Sequence, residues 1–351
     1  GAVDIVSETS RISAPVNIKN LPVECQEIRY LRFGLSGSTG DGSDADAVLV
    51  LMTGILVSNN VMSYLGKEMV SMAWIERGMR LEVWVPDRRY NSLEDLTGVD
   101  EAERTGNIDV ALDYYYKGKS INGKTFSGYL NNRDVPYMAE MGLKMIMDDV
   151  YILITTLVPD RQVRRHKVFV GGHSLGGFLT AFFNGWDFDG NPATTDDAGY
   201  NNCAGIVGLD TILSPFINLF DPFIEMLPSV ITAMIPTLAK GSYPIIVSGL
   251  KSNTLPRIIP LELMGFTAET YMLLELIGLE ADIRPDEECT LFDRVDYSAS
   301  VATLLRLVHS RSLLEFIQTT PSIENYRYTN QALLGVMLDD NFMPISICQA
   351  S

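Results

Sequence analysis

Histidine and cysteine are too few and too scattered in this sequence to suggest a metal centre. The 351 residues include three histidines and four cysteines, and no pair has the short spacing that zinc ligands share. We therefore expect no metal and no cofactor. Four cysteines allow one or two disulfides without requiring them, so their number fits an oxidising and a reducing compartment equally well. These residues are His166, His173 and His309, and Cys25, Cys203, Cys289 and Cys348.

Basic residues and long apolar runs are also lacking. Lysine and arginine number 27 against 44 acidic residues, which gives a net charge of −17. Such a chain repels nucleic-acid phosphates and anionic lipids, so neither is an expected partner. The basic cluster at residues 161–167 is interpreted as a solvated helix end. No apolar run reaches the roughly 18 residues of a membrane helix, because the nearest, residues 223–239, contains Glu225, Pro228 and Pro236.

The remaining composition is typical of a chain with a sizeable core. Apolar residues make up 46% and charged residues 20%, which predicts one large domain, or one domain with a big insertion. The chain begins at Gly1 without an initiator methionine. This is consistent with an exported protein after signal removal, or with a tag remnant, and the sequence leaves both open.

Strand and helix patterns over residues 28–212 predict a doubly wound, mostly parallel α/β sheet. Residues 1–27 are polar and are interpreted as an extended N-terminal arm. Residues 47–52 form a continuous apolar run, which is typical of a strand buried on both faces. A helical pattern at residues 61–77 and a second strand pattern at residues 81–85 follow, in the order of a βαβ unit.

The pattern changes in the second half of the chain. Residues 213–325 are apolar, rich in methionine and proline, and show no strand–helix alternation, which predicts a helical insertion. Residues 90–134 are expected to be irregular. The sheet is expected to resume within residues 326–351, where the apolar run at 332–338 predicts a late strand that leads into a loop containing Asp340.

The sequence Gly-His-Ser-Leu-Gly at residues 172–176 fits the pattern Gly-x-Ser-x-Gly. In this pattern the serine lies on a strained turn between a strand and a helix, and the glycines avoid clashes on either side of it. An apolar strand pattern precedes the motif and a helical pattern follows it. The turn presents the hydroxyl of Ser174 at the carboxyl edge of the sheet, where a helix N-terminus favours negative charge.

With this motif and its surroundings, the sequence resembles serine hydrolases of the α/β-hydrolase superfamily, which include many lipases and esterases. The resemblance implies that Ser174 is the nucleophile. It also implies that the backbone N–H groups of Leu175 and Ile55 form the oxyanion hole. Thr53 stands where the family usually has a histidine, although the glycine after it is present.

The resemblance leaves two candidates for the catalytic acid. Asp340 lies four residues before Pro344, which resembles the Asp-x-x-x-Pro that the family has at its acid position. Asp210 ends the predicted strand at residues 203–209, where some lipases of the superfamily carry their acid. Asp340 is the first candidate and Asp210 the alternative. Whichever of the two is not the catalytic acid is expected to cap a loop turn.

The histidine that such an enzyme needs is missing from its usual place. The family order is serine, acid and then histidine, and no histidine follows Asp340. His166 precedes the nucleophile and is interpreted as a surface residue, whereas His173 lies inside the turn and is expected to pack there. We expect the base to come from a second polypeptide of a cleaved precursor, with His309 as the alternative within this chain.

The predicted reaction is hydrolysis of a small-molecule carboxylic ester through an acyl-enzyme. A lid formed by the apolar insertion favours a hydrophobic acyl group, since methionine-rich surfaces adapt to irregular shapes. Two alternatives stay open. One is acyl transfer or thioester cleavage on the same turn, and the other is a catalytically inactive hydrolase fold used for binding.

An acidic loop after the motif resembles the start of a calcium-binding loop. An EF-hand that began at Asp187 would need a glutamate at its twelfth position, but that position is Ala198. The sequence leaves open an irregular calcium site at Asp187 and Asp189, against an ordinary acidic turn.

Overall fold

The computed structural model of the chain contains two compact units. The sheet unit holds the described residues up to 94 and from 137 to 213. The helical unit holds those from 95 to 136 and from 243 onward. The structure describes residues 3–211, 213, 243–258, 267–310, 312–318 and 326–338.

The sheet unit is built on a six-stranded sheet in the order β1-β2-β4-β3-β5-β6. The first strand pairs antiparallel with the second, and the second pairs antiparallel with the fourth. All other pairs are parallel, so the prediction of a mixed α/β fold with a mostly parallel sheet is confirmed. The strands are β1 Ile5–Ser13, β2 Glu27–Leu35, β3 Ala47–Met52, β4 Leu81–Pro86, β5 Val168–His173 and β6 Gly205–Leu209.

Helices connect these strands and form the regular elements of the helical unit. Among those described, α2, α3 and α7 to α11 belong to the helical unit and the others to the sheet unit. They are α1 Ser63–Arg77, α2 Thr97–Thr105, α3 Ile108–Lys117, α4 Leu143–Leu157, α5 Arg161–Lys167, α6 Leu175–Gly185, α7 Tyr243–Lys251, α8 Ala268–Ile283, α9 Ala299–His309, α10 Leu313–Gln318 and α11 Asn330–Leu338.

The central strand β3 is buried on both faces because helices cover both sides of the sheet. Val48 and Val50 pack in a cluster with α4 and α6, whereas Leu49 and Leu51 pack in a second cluster with α1. The connection from β3 runs to β4 on one side, and β5 pairs with β3 on the other. The crevice between the carboxyl ends of β3 and β5 is therefore a topological switch point, where open α/β sheets bind ligands.

The N-terminal arm predicted for residues 1–27 contains a regular strand. Ile5–Ser13 is extended, as expected, but it pairs over its full length with β2 as the edge of the sheet. No sequence pattern indicates this pairing, because β1 is mostly polar and exposed and lacks the apolar alternation of a half-buried strand.

Two expectations about the helical unit are wrong. Residues 90–134 were expected to be irregular, but they contain α2 and α3, which pack with α8 in one apolar core. The late strand expected at residues 332–338 is instead part of helix α11. Its buried residues Leu333 and Met337 are four positions apart, so both face that core. Short apolar runs do not distinguish a buried strand from a buried helix.

Gly335→Ala is expected to stabilise the helical unit by about 0.5–1 kcal/mol, because alanine is the better helix former. A Cβ atom at position 335 would meet nothing within 4 Å. Gly278→Ala in α8 meets the same condition and is a matched control. Urea denaturation followed by circular dichroism measures both. A destabilising Gly335→Ala beside a stabilising Gly278→Ala would contradict the helix.

Three cysteines can be assigned a state. Cys25, Cys203 and Cys289 are free thiols, and burial raises the pKa of Cys25 to about 11. Cys348 lies outside the described residues. Among the helices that the structure describes, none is both long enough and apolar enough to cross a bilayer.

Candidate active site

Ser174 occupies a strained turn between β5 and α6. Its φ of 51° and ψ of −117° lie outside the conformations that non-glycine residues adopt without cost. Three hydrogen bonds hold the turn. The Ser174 N–H donates to the Leu209 carbonyl at 3.3 Å, and the Ser174 carbonyl accepts from the Gly177 N–H at 3.0 Å and from the Thr211 hydroxyl at 2.6 Å. The strained strand-to-helix turn expected from the sequence is therefore present.

The glycines around Ser174 are required by close backbone packing. A Cβ atom at Gly172 would lie less than 3.0 Å from the backbone of Gly176, and one at Gly176 would lie equally close to the carbonyl of Met52. A Cβ atom at Gly177 would meet the Thr211 side chain just as closely. The turn thus packs directly against the end of β3.

Backbone strain in the sheet unit is concentrated at this edge of the sheet. Six non-glycine residues among those described have a positive φ, and three of them are asparagines. The other three are Leu56 (φ 66°), Ser174 (φ 51°) and Asp210 (φ 43°), of which aspartate, like asparagine, tolerates that conformation better than leucine or serine. Each lies just beyond the carboxyl end of β3, β5 or β6. Strain of this kind persists where surrounding structure fixes it, and it clusters at functional sites.

Two backbone amides at the site have no acceptor among the residues that the structure describes. Leu175 is the first residue of α6, and Ile55 lies in the loop after β3, which pairs with β5 through Met52 and Gly172. Within the described part of the chain, neither N–H group donates a hydrogen bond. Amides in such positions can hold an anion.

Residues that follow β4 hold the loop that contains Ile55. The Arg88 guanidinium donates to the carbonyls of Thr53 at 2.7 Å and Gly54 at 2.6 Å. Asp87 accepts from the Asn59 N–H at 2.8 Å. Sequence reasoning missed both residues, although a charged pair directly after a buried strand is a usable signal.

Asp87 and its neighbours form a buried charged layer below the loop. Burial raises the pKa of Asp87, and the nearby Arg29, which donates to it at 2.8 Å, opposes that shift. Burial likewise raises the pKa of Asp149, against the opposing effect of its partner Arg89. A cavity of about 20 Å³, enough for about one water molecule, is lined by both aspartates and by Arg88.

The two candidate acids differ in whether the structure describes them, since Asp210 lies among the described residues and Asp340 does not. Asp210 follows β6 directly, and Leu209 pairs with His173, so Asp210 lies beside Ser174 at the sheet edge with an exposed side chain. Asp340 lies outside the described residues. The structure therefore brings Asp210 into the neighbourhood of Ser174, while the choice between the two acids stays a prediction.

The histidines do not supply an evident base within the sheet unit. His166 is exposed on α5, and its Nδ1 lies 2.7 Å from the Gln162 carbonyl. His173 is half-buried in the last position of β5. His309 ends α9 in the helical unit, and its side chain lies outside the described residues. The source of the base stays a prediction.

Carboxylates do gather in the acidic loop. Oxygen atoms of Asp187, Asp189 and Asp197 lie within 4.8 Å of one another. Oxygens of these carboxylates accept hydrogen bonds from the loop itself, with Asp187 accepting from the Gly190 N–H at 3.0 Å and Asp189 from the Thr194 hydroxyl at 2.7 Å. These contacts are those of an acidic turn, and they do not test the alternative of an irregular calcium site.

Comparisons with known proteins give structural neighbours only. No protein-family model matches the chain, and no curated protein matches it. Among solved structures, many of the similar chains are serine hydrolases and esterases of the α/β-hydrolase type.

Three of these neighbours show how limited the likeness is. S-formylglutathione hydrolase from Staphylococcus aureus is 12% identical with a TM-score of 0.31, over 63% of this chain and 64% of that one. The fluorophosphonate-binding serine hydrolase FphF of the same organism is 15% identical with a TM-score of 0.31, over 62% and 61%. The peroxisomal α/β-hydrolase Lpx1 of Saccharomyces cerevisiae has 15% identity and a TM-score of 0.31, over 60% and 45%.

The match covers less than two thirds of each of these neighbours.

Proposed function

We propose that this protein is a serine hydrolase of the α/β-hydrolase type that cleaves a carboxylic ester through an acyl-enzyme on Ser174. The observation that carries the proposal is the strained turn at Ser174, beside the amides of Leu175 and Ile55, which have no acceptor in the described part of the chain. The turn costs stability, and an inert serine would not require it. Open amides next to a presented hydroxyl fit the charge that develops during acyl transfer.

The reaction follows from these positions. The Ser174 hydroxyl attacks the ester carbonyl carbon while a base takes its proton, and the carbonyl oxygen becomes an oxyanion held by the amides of Leu175 and Ile55. Collapse of this intermediate expels the alcohol, which receives the proton from the base. Water then attacks the acyl-enzyme by the same steps and releases the carboxylic acid. Asp340, or Asp210 in its place, would orient the base.

The catalytic base has two candidate sources, which can be distinguished by measurement. The 351 residues contain three histidines, and we propose as base either a histidine outside these residues, as on a second polypeptide, or His309. Intact mass analysis of active purified protein distinguishes these. A second species that co-purifies and is required for turnover supports the two-chain form, whereas full activity from a single 38.9 kDa species assigns the role to His309.

The substrate class is proposed from the apolar insertion. Residues 213–325, described in part, contain α7 to α10, and their apolar composition favours a lid and a hydrophobic acyl pocket. A series of aryl esters with increasing acyl length tests this. Activity confined to short, polar esters would count against the pocket. Faster turnover of matched acyl-thioesters would favour the thioesterase or acyltransferase alternative.

Labelling with a fluorophosphonate probe tests the proposal as a whole. The reagent phosphonylates a serine only when hydroxyl, base and oxyanion amides act together. We expect one adduct, located on the peptide that contains Ser174 by mass spectrometry. If a preparation with all its chains remains unlabelled, the protein is better described as an inactive hydrolase fold that binds a ligand.

A further inference from the structure

We propose that Arg88 positions and polarises the Ile55 amide of the oxyanion hole, an inference that rests on the function proposed above. Arg88 is 8% exposed. One of its terminal nitrogens donates to two successive carbonyls of the loop after β3, that of Thr53 at 2.7 Å and that of Gly54 at 2.6 Å. Arg88 would thus be a positioning residue, which acts on the substrate through the backbone.

The geometry of the peptide unit connects Arg88 to the oxyanion. The Gly54 carbonyl and the Ile55 N–H belong to one planar trans peptide, so they point in opposite directions. A cation that binds the carbonyl oxygen from one side therefore fixes the direction in which the N–H group points. It also draws electron density from the amide, which makes the N–H a stronger donor, as in other hydrogen-bonded chains.

Arg88 differs from the buried Arg32 and Arg89, which each form an ion pair with a carboxylate, at 2.8 and 2.6 Å. It resembles the buried Arg164, which binds the carbonyls of Val158 and Pro159. In the part of the chain that the structure describes, no carboxylate forms an ion pair with Arg88. Its known partners are the two carbonyls and the hydroxyl of Tyr90, whose pKa is raised by burial.

The contacts of Arg88 direct its charge to the loop after β3. Two of its hydrogen bonds go to the carbonyl oxygens of Thr53 and Gly54, and the nearby charge of Asp87 acts on the guanidinium without forming an ion pair. Hydrogen bonds from a charged donor are stronger than those between neutral groups, so the cation holds these two carbonyls in place.

Other residues after β4 fix the far end of the same loop. Asp87 accepts from the Asn59 N–H at 2.8 Å, and the Asn91 amide donates to the Val57 carbonyl at 3.5 Å. Leu56, with its strained φ of 66°, lies between these anchors and the two carbonyls that Arg88 binds. The loop is thus held at both ends by the segment that follows β4, which is the support that a preformed oxyanion hole needs.

Steady-state kinetics on an aryl ester test this role. Arg88→Met is expected to lower kcat by about 10- to 100-fold with KM changed by less than about 2-fold, because a displaced donor affects the transition state and not binding. The rate of fluorophosphonate labelling should fall by a similar factor. Arg88→Lys is expected to recover part of kcat, because an ammonium group can bind one carbonyl.

Arg89→Lys is the matched control. Arg89 is the adjacent buried arginine, and it binds Asp149 and the carbonyls of Ala14 and Cys25 instead of the loop. Its replacement should lower stability and leave kcat within about 2-fold. If Arg88→Met is folded and its kcat stays within about 3-fold of the wild type, or if only KM changes, Arg88 does not position the amide.

Activity and labelling of the wild type distinguish a failure of this inference from a failure of the proposed function. An unlabelled, inactive wild type with all its chains present overturns both proposals. An active wild type whose Ser174 is labelled, together with an unimpaired Arg88→Met, overturns the role of Arg88 alone.

Discussion

Ser174→Ala is expected to lower kcat/KM for an aryl ester by at least about 10⁴-fold and to abolish fluorophosphonate labelling. The loss is large because nucleophile, base and acid act as a unit, so that removal of one member leaves only the contribution of the oxyanion hole and of binding. Alanine keeps the backbone of the turn. Its kinetics should therefore report the missing hydroxyl and not a displaced loop.

Two further variants give this experiment its controls. Ser127→Ala removes an exposed serine of the helical unit and should leave labelling unchanged. Ser174→Gly should be as inactive as Ser174→Ala but about 1 kcal/mol more stable, because only glycine adopts a φ of 51° with a ψ of −117° without strain. Turnover that persists in Ser174→Ala would show that the chemistry lies elsewhere.

The turn at Ser174 could be predicted from sequence because its requirements are local. Glycines at positions 172 and 176 are needed within a few residues of the serine, so the motif carries the steric pattern that the structure shows. The buried strand β3 could be predicted for a similar reason, since its continuous apolar run reflects cover on both faces.

Features that depend on distant residues could not be predicted. The sequence of helix α11 predicts a strand, because its apolar residues show no clear helical period. The helix is favoured by the apolar core that it shares with α8, which involves distant residues. The link between Arg88 and the loop after β3 joins residues 34 and 35 positions apart. No short pattern records a contact of that kind, whereas the strand order makes the two loops neighbours.

Gly176→Ala is expected to destabilise the sheet unit by about 3 kcal/mol and to remove activity with it. Its Cβ atom would lie less than 3.0 Å from the Met52 carbonyl, and a backbone atom in the central strand cannot move aside as a flexible side chain can. Overpacking costs of this order are usual when no relaxation is possible. The clash would also push α6, and with it the Leu175 amide, away from the end of β3.

The same helix provides a matched control for this clash. Gly185 is the last residue of α6, and a Cβ atom there would meet nothing within 4 Å. Gly185→Ala should therefore be neutral or stabilise the protein by up to about 1 kcal/mol, since alanine favours the helix. Urea denaturation measures both variants under one set of conditions. Equal stability of the two would mean that α6 does not approach β3 as closely as the turn requires, and the oxyanion hole built on that approach would have to be abandoned.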